Sequence, residues 1–265
     1  MQDTAGGRQL DEQPWYTGFF DDDYLRVFGP VLPAERTAAE VNGAVELLEL
    51  APGARLLDLC CGQGRHAVPL AQLGYRVTGL DLSRALLARA AAAAGRQSQR
   101  VGLVEADMRR LPFADGSFDA VLNLFHAFGY LEDEAQDELV LGEVARVLGP
   151  GGRFLQEVAN REALVRGWHD SEIARHDDGL IVLQERALDL RTSRDVVRYT
   201  LLAADGRRTT REASIRLYTL TELEAMLGRA GLELLAVFGD LDGGPLELDS
   251  SCLVTLSGRA GKGVS

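Results

Sequence analysis

The chain has 265 residues, of which 46% are hydrophobic, and a formal net charge of −12 from 40 acidic and 28 basic residues. This length can bury a large core, and we expect one main domain with an insertion. The acidic balance disfavours nucleic acid as a partner, because phosphate contacts dominate that affinity. No apolar run reaches membrane-spanning length and the first ten residues lack the apolar stretch of a signal peptide, so we expect a cytoplasmic protein with no membrane partner.

The N-terminal region combines a polar start with an aromatic cluster. Residues 1–13 are expected to be disordered. Aromatic residues between Trp15 and Tyr24 then recur at roughly helical spacing. They form either a helix packed on the domain or a lid over a ligand. Residues 35–50 predict an amphipathic helix that ends before Pro52-Gly53.

Strands and helices alternate from residue 55 to residue 159. Helices are predicted at 67–73, at 83–94 with Ser83 as the N-cap, and at 133–148. Strands are predicted from short apolar runs at 55–57, 75–80, 101–105, 119–124 and 153–158. This alternation predicts an α/β fold with a doubly wound, mostly parallel, Rossmann-like sheet.

The pattern changes after residue 160. Period-2 alternation at 180–190, 195–202 and 209–218, with a hairpin signal at Asp205-Gly206, predicts an antiparallel β insertion after strand five. A helix at 221–230, opened by a capping box from Thr221 to Glu224, and strands at 232–238 and 252–257 complete a seven-stranded sheet.

The expected organisation has five parts. They are an N-terminal aromatic lid segment (1–34), the core (35–159), the β insertion as a substrate cap or dimer contact (160–219), the C-terminal part of the core (220–257) and a loose tail (258–265).

A glycine-rich turn joins the first strand to the first helix of the core. Gly62 and Gly64 would let a ligand approach the backbone and the free N–H groups of the helix. This glycine pattern also fits a dinucleotide site, but Asp58 beside it would repel a pyrophosphate. S-adenosylmethionine, with an ammonium, a sulfonium and a ribose but no phosphate, fits better. Asp81, at the exposed tip of the second strand, can accept the ribose hydroxyls. The alternative is a tight turn with a solvated acid.

Disulfides and metal sites are not indicated. The cysteines are Cys60, Cys61 and Cys252, with no C-x-x-C spacing, and Cys60 and Cys61 are most simply small buried residues. The four histidines show no i, i+4 pairing, so we expect no metal ion.

Five segments together resemble class I S-adenosylmethionine-dependent methyltransferases of the small-molecule type. They are LLDLCCGQGRH from Leu56, GLDLS from Gly79, EADMRRLPF from Glu105, FDAVLNLFHAFGYL from Phe118 and LGPGGRF from Leu148. The aromatic N-terminus and the insertion also resemble the subgroup that includes aminosugar N,N-dimethyltransferases. One departure is Cys60, where the family often has glycine, because cysteine tolerates a positive φ poorly.

The resemblance implies a set of cofactor-binding residues. Asp58 would hold the ammonium, Gly62 and Gly64 would admit the methionine part, and Asp81 would bind the ribose. Leu82 and Met108 would pack on the adenine, Asp107 would accept from its amino group, and Asn123 and Leu124 would flank the donor. Cys60, Arg65 and His66 complete the set. Each has a plainer alternative: Asp81 could cap the next helix, Asp107 could be a turn acid, and Arg65 and His66 could be first-turn helix residues.

The implied activity is methyl transfer to an oxygen or nitrogen of a small molecule, with a possible homodimer. The candidate catalytic residues are His126, Tyr130, Tyr16 and Tyr218. A structural histidine and packed tyrosines are the alternatives. The competing functions are an NAD-dependent oxidoreductase and a non-catalytic S-adenosylmethionine-binding module.

Overall fold

The computed structural model describes residues 14–259, so the predicted disorder of residues 1–13 and most of the predicted tail lie outside the described residues. Within this range, no helix is both long enough and apolar enough to cross a bilayer.

A seven-stranded sheet forms the centre of the fold. Its strands are β1 (Arg55–Leu59), β2 (Arg76–Asp81), β3 (Gly102–Glu105), β4 (Phe118–Asn123), β5 (Leu148–Ala159), β10 (Leu232–Phe238) and β11 (Cys252–Arg259). The strand order is β10-β11-β5-β4-β1-β2-β3. The strands from β5 to β3 pair in parallel, whereas β11 is antiparallel to both β5 and β10. The carboxyl ends of β1 to β4 therefore meet at one edge of the sheet.

Helices cover both faces of this sheet. They are α3 (Ala34–Leu48), α4 (Ala67–Gln72), α5 (Arg84–Arg96), α6 (Glu134–Val147) and α8 (Leu220–Arg229). The apolar sides of α3 and α4 pack on one face around Leu56, Leu122 and Leu155. Those of α6 and α8 pack on the other face around Leu57 and Val121. Both faces are apolar because a parallel sheet is buried on both sides.

A second sheet follows β5. A short helix, α7 (Arg161–Arg166), precedes it. Its strands are β6 (Ser171–Arg175), β7 (Ile181–Asp189), β8 (Arg194–Leu202) and β9 (Arg208–Arg216). They form a fully antiparallel sheet in the order β6-β7-β8-β9. The predicted seven-stranded Rossmann-like sheet with an antiparallel insertion after strand five is thereby confirmed.

The aromatic N-terminal segment joins the two sheets. It forms α1 (Tyr16–Phe19), α2 (Asp22–Phe28) and a 3-10 turn (Gly29–Val31). The ring of Phe19 lies 5.6 Å from that of Tyr199 in the insertion. On the other side, the hydroxyl of Ser83, the N-cap of α5, donates to the carbonyl of Phe20. The segment is thus held by both the core and the insertion.

Several local predictions were wrong. The capping box of α8 runs from Thr219 to Glu222, two residues earlier than predicted. The tail does not begin at residue 258, because β11 continues to Arg259 in register with β5 and β10. The sequence reasoning also missed the short helix α7 and the edge strand β6, which is short and largely exposed.

Candidate functional site

A pocket opens at the carboxyl ends of β1 to β4, beneath the N-terminal helices. Its wall consists of residues that follow each strand, together with aromatic residues from α1 and α2. The predicted cofactor-binding residues that line it are Asp58, Cys60, Gly62, Arg65, His66, Asp81, Leu82, Asp107, Met108 and Leu124. The sheet topology brings these residues together from four separate strand ends, as is typical of open α/β folds.

The turn after β1 uses left-handed backbone at alternate positions. Cys60 has φ 64°, Gly62 has φ 53° and Gly64 has φ 80°. A Cβ on Gly62 would contact only Leu86, at 3.8 Å, so the backbone there is open to the pocket. A Cβ on Gly64 would lie 3.0 Å from the Cβ of Ala90, so this glycine serves the packing of the turn on α5 rather than the pocket wall.

Asp58 presents an unsatisfied carboxylate oxygen in the pocket. The residue is 2% exposed, and its Oδ2 atom is buried with no hydrogen-bond partner among the described residues. The N–H of Ala67 donates to the carboxyl group. Burial raises the pKa of Asp58, and the nearby His66 and Arg65 only partly oppose this rise. Because a buried carboxylate needs a donor or a cation, this oxygen can accept a hydrogen bond from a positively charged group in the pocket.

A buried charge network lies behind Asp58. Glu40, from α3, accepts a hydrogen bond from Arg65, and its Oε2 lies at hydrogen-bond distance, 2.9 Å, from Nε2 of His66. Burial opposes ionisation of Glu40, yet its bonds to His66 and Arg65 lower its pKa to about 2. The Nη2 atom of Arg65 is buried without a partner in the described part of the chain, although Arg65 lines the pocket. The network therefore offers one free donor to a ligand.

Asp81 organises the turn and is less exposed than expected. It is 8% exposed; its Oδ2 accepts from the N–H of Gly62 and its Oδ1 from that of Ser83, both at 2.8 Å. Burial raises the pKa of Asp81, while these backbone donors lower it. The predicted exposed strand tip was thus wrong: Asp81 lines the pocket and also holds the glycine-rich turn.

The end of β3 supplies a polar and an apolar contact. Arg109 donates to both oxygens of Asp107, at 3.0 and 3.1 Å from its Nε, and these bonds lower the pKa of Asp107. Met108 lines the pocket and its sulfur lies 3.6 Å from that of Cys60. Leu82 is 41% exposed although it lines the same pocket, so its side chain leaves apolar surface for a flat ring.

Three tyrosines form the roof of the pocket. Tyr16, Tyr24 and Tyr130 all line it, and the ring of Tyr130 lies 5.6 Å from that of Phe20. Burial raises the pKa of all three phenols. The hydroxyl of Tyr16 is buried with no partner among residues 14–259. The tyrosines are therefore protonated donors at neutral pH.

Four of the predicted site residues lie outside the pocket wall: Gly64, described above, and Asn123, Tyr218 and His126. Asn123 is 1% exposed and its amide donates to the carbonyl of Leu59. Tyr218 is 2% exposed and its hydroxyl donates to Asp137 at 2.7 Å, away from the pocket. His126 follows the pocket residue Phe125 but is absent from the lining. None of these three side chains is part of the pocket wall.

Sequence reasoning missed Glu40 as part of the site. It lies in the middle of an amphipathic helix, 25 residues before Arg65, and no motif marks it. Only its position as a charged residue on an otherwise apolar helix face, next to Val41 and Ala44 of the buried stripe, gives a signal.

A profile for a methyltransferase domain matches residues 56–152, which cover the strands and turns of the pocket from β1 to the start of β5. Residues 56–152 therefore form a methyltransferase domain. The predicted methyltransferase family is thereby confirmed for this part of the chain.

Individual relatives match about half of this chain rather than its whole length. A demethylmenaquinone methyltransferase of Thermus thermophilus is 44% identical over 133 residues, which cover 49% of this chain and 56% of that protein. The chain spans about half the length of the curated relatives it matches.

Solved structures match over most of the fold. The CcbJ methyltransferase from Streptomyces caelestis has a TM-score of 0.76 at 22% identity and covers 83% of this chain and 89% of its own. CalS10, an amino pentose methyltransferase from Micromonospora echinaspora, has a TM-score of 0.67 at 24% identity and covers 90% and 97%. These likenesses show a shared fold that extends beyond the matched domain.

Proposed function

We propose that the protein is an S-adenosylmethionine-dependent methyltransferase that acts on a small molecule, with a nitrogen acceptor favoured over an oxygen acceptor. The observation that carries the proposal is the unpartnered Oδ2 of Asp58 in a pocket built from four strand ends. The same position disfavours the oxidoreductase alternative, because a dinucleotide phosphate would meet this carboxylate at close range.

The pocket residues fit the groups of the cofactor one by one. Asp58 Oδ2 would accept from the ammonium, and the free Nη2 of Arg65 would donate to the carboxylate of the same ligand. Asp81 would bind the ribose with the lone pairs left after its backbone bonds. Leu82 and Met108 offer apolar surface for the adenine, and Asp107 offers an acceptor at its edge.

The bound cofactor supplies an electrophilic sulfonium methyl, and the chain supplies orientation and a dry pocket. The acceptor would enter beneath the aromatic roof formed by Tyr16, Tyr24 and Tyr130. The tyrosines, being protonated, can orient a polar acceptor but cannot take a proton from it at neutral pH.

The choice of nitrogen rests on the lack of a poised base. Among the described pocket residues, the one histidine is His66, and it is bonded to Glu40. His126 lies outside the wall. A hydroxyl must lose its proton during transfer, whereas a neutral amine attacks with its own lone pair and loses its proton afterwards. Two of the similar structures are named as an amino pentose methyltransferase and a sugar N-methyltransferase. Amino sugars are therefore the first panel of acceptors to test.

The insertion acts on the pocket indirectly in this proposal. Residues of 160–219 do not line the described pocket, but they hold the roof: Arg211 pairs with Asp21, and Arg26 with Asp178 at 2.9 Å. The insertion would thus set the position of α1 and α2 over the acceptor. A cap role for residues 160–219, a homodimer and a cytoplasmic location stay predictions.

The test is a transfer assay with isotopically labelled methyl donor. The full chain is incubated separately with a small-molecule extract, bulk RNA and a protein extract, and then with a panel of amino sugars and matched hydroxyl sugars. We expect label in the small-molecule fraction and, in the panel, on nitrogen. Labelled RNA with an unlabelled small-molecule fraction would contradict the acceptor class, and label on hydroxyl sugars alone would contradict the nitrogen assignment.

A further inference from the structure

Three side chains with metal-binding atoms meet behind Phe125, outside the pocket wall. His126 follows β4, Glu157 lies in β5 and Cys252 begins β11. Their ligating atoms, a ring nitrogen, a carboxylate oxygen and a thiol sulfur, all lie within 4.8 Å of one another. The sequence separates these residues widely, and the sheet order β11-β5-β4 brings them together.

The cluster is buried and is only partly satisfied by the protein. Glu157 is 1% exposed; its Oε1 accepts from the Cys252 thiol at 3.1 Å and its Oε2 from the N–H of Phe125 at 2.7 Å. The Nδ1 atom of His126 is buried without a hydrogen-bond partner in the described chain. A histidine with a buried, unpaired ring nitrogen, next to a buried carboxylate and a thiol, is the donor set of a metal site rather than of an apolar core.

The charges around the cluster tolerate a cation. Arg36 is a nearby positive group, but it is bonded to Glu40 at 2.7 Å. Asp240 lies near Cys252 on the other side and adds negative charge. A divalent ion bound by a thiolate and a carboxylate would itself be neutralised, so the burial of Glu157 would carry less electrostatic penalty with the ion than without it.

We propose that His126, Glu157 and Cys252 bind one Zn²⁺ ion and leave one coordination position open. Tetrahedral zinc with bonds of about 2.0–2.3 Å needs ligand atoms roughly 3.3–3.8 Å apart, which small side-chain shifts can reach here. The thiol proton leaves to solvent, Oε1 is released to the metal, and Oε2 keeps its bond to Phe125, as an outer hydrogen bond that orients a ligating carboxylate. His126 is partly exposed, which gives the ion an entry path.

The metal would fix one wall of the pocket. Phe125 and His126 both have left-handed backbone, with φ 59° and 58°, and Phe125 lines the pocket. Two successive non-glycine residues in this region are held only by their surroundings. A metal bound by His126 and Glu157 would hold both residues of this turn, because Glu157 also accepts a hydrogen bond from the N–H of Phe125. The inference does not depend on the proposed methyl transfer.

The test is a titration of the untagged, metal-free full chain with Co²⁺, a spectroscopic substitute for Zn²⁺. We expect one Co²⁺ per chain, with a thiolate-to-cobalt charge-transfer band and the visible bands of a tetrahedral site, and displacement by Zn²⁺. Cys252→Ser should abolish the charge-transfer band, and His126→Gln and Glu157→Gln should weaken Co²⁺ binding at least about tenfold. Saturating Zn²⁺ should raise the thermal midpoint by about 5 °C.

Matched controls come from the same residue types elsewhere. Cys60→Ala and His169→Gln change a cysteine and a histidine outside the cluster and should leave the cobalt spectrum unchanged. His126→Gln alters a partly exposed side chain and keeps the test valid if Cys252→Ser does not fold. No charge-transfer band in the folded wild type, or a band that survives Cys252→Ser, would overturn the proposal. Calorimetry with S-adenosylhomocysteine on the same sample tests methyl-donor binding separately.

Discussion

Asp58→Asn should separate cofactor binding from stability. Asparagine has nearly the same shape and keeps an oxygen that can accept from the N–H of Ala67. It removes the negative charge of a pocket-lining side chain whose Oδ2 has no partner among the described residues. An ammonium group of the cofactor would then meet a neutral amide rather than a carboxylate.

The expected loss of affinity follows from one charge-assisted hydrogen bond. Such a bond contributes about 1.5–3 kcal/mol, so the dissociation constant for S-adenosylhomocysteine should rise roughly 12- to 150-fold. Without ligand, the substitution should not lower the stability of the fold. Burial raises the pKa of folded Asp58 above its unfolded value, so its contribution is favourable at low pH and is lost as pH rises through the folded pKa. At pH 7.5 the variant should therefore be as stable as the wild type or more stable.

The assay is calorimetry with S-adenosylhomocysteine and thermal melts of the unliganded proteins at pH 7.5. Asp119→Asn is the matched control. Asp119 lies near the start of β4, at the edge of the sheet opposite the pocket, where it pairs with Arg55 at the surface. We expect its affinity to stay within about twofold of the wild type and its stability to fall by no more than about 1 kcal/mol. If Asp58→Asn lowers the melting temperature and keeps its affinity, Asp58 is a structural residue and our assignment is wrong.

Substitutions at three further positions test the fold. Cys60→Gly should be about 1 kcal/mol more stable than Cys60→Ala, the reverse of the usual order, because position 60 has φ 64°; chemical denaturation that ranks alanine higher would contradict this. Gly129→Ala should destabilise the fold by more than about 2 kcal/mol, since a Cβ would lie 2.3 Å from the Arg216 carbonyl where φ is already 87°; a melt within 1 °C of the wild type would refute the close approach. Asp137 has its pKa raised to about 6, chiefly by burial, against the bond from Tyr218. Wild-type stability should therefore fall as the pH rises from about 3 to about 7, through the unfolded and folded pKa values of Asp137, by up to about 3 kcal/mol. The melts of Asp137→Asn should be flatter over this range.

The pocket could be predicted from sequence where its residues follow strands. Asp58, Asp81 and Asp107 lie at or near the ends of β1, β2 and β3, and the carboxyl ends of parallel strands share one edge of the sheet. Local alternation of apolar runs and helices therefore placed three carboxylates together without any knowledge of contacts. The turn glycines were equally visible, because left-handed backbone favours glycine.

Contacts between distant elements could not be predicted in the same way. Glu40 meets Arg65 and His66 only because α3 packs beside α4, and Tyr218 meets Asp137 across the interface between the insertion and α6. Neither contact leaves a periodic signal. The cluster of His126, Glu157 and Cys252 depends on β11 pairing antiparallel with β5, which spacing between histidines does not reveal.

The misplaced capping box has a local cause. The sequence after residue 218 offers two overlapping Thr-x-x-Glu frames, from Thr219 and from Thr221. Burial of Tyr218 fixes the chain immediately before Thr219, so the helix starts in the earlier frame. Tertiary packing rather than capping preference decides between such frames.

The most direct test of the central claim is a calorimetric comparison of S-adenosylhomocysteine and NAD⁺ on the folded wild-type chain. If the pocket below the aromatic roof is a methyl-donor site, S-adenosylhomocysteine should bind once per chain in the micromolar range, about −8 kcal/mol at 1 μM. NAD⁺ should bind at least about a hundredfold more weakly, because its pyrophosphate would face Asp58. No heat from S-adenosylhomocysteine, or tighter binding of NAD⁺, would contradict the account.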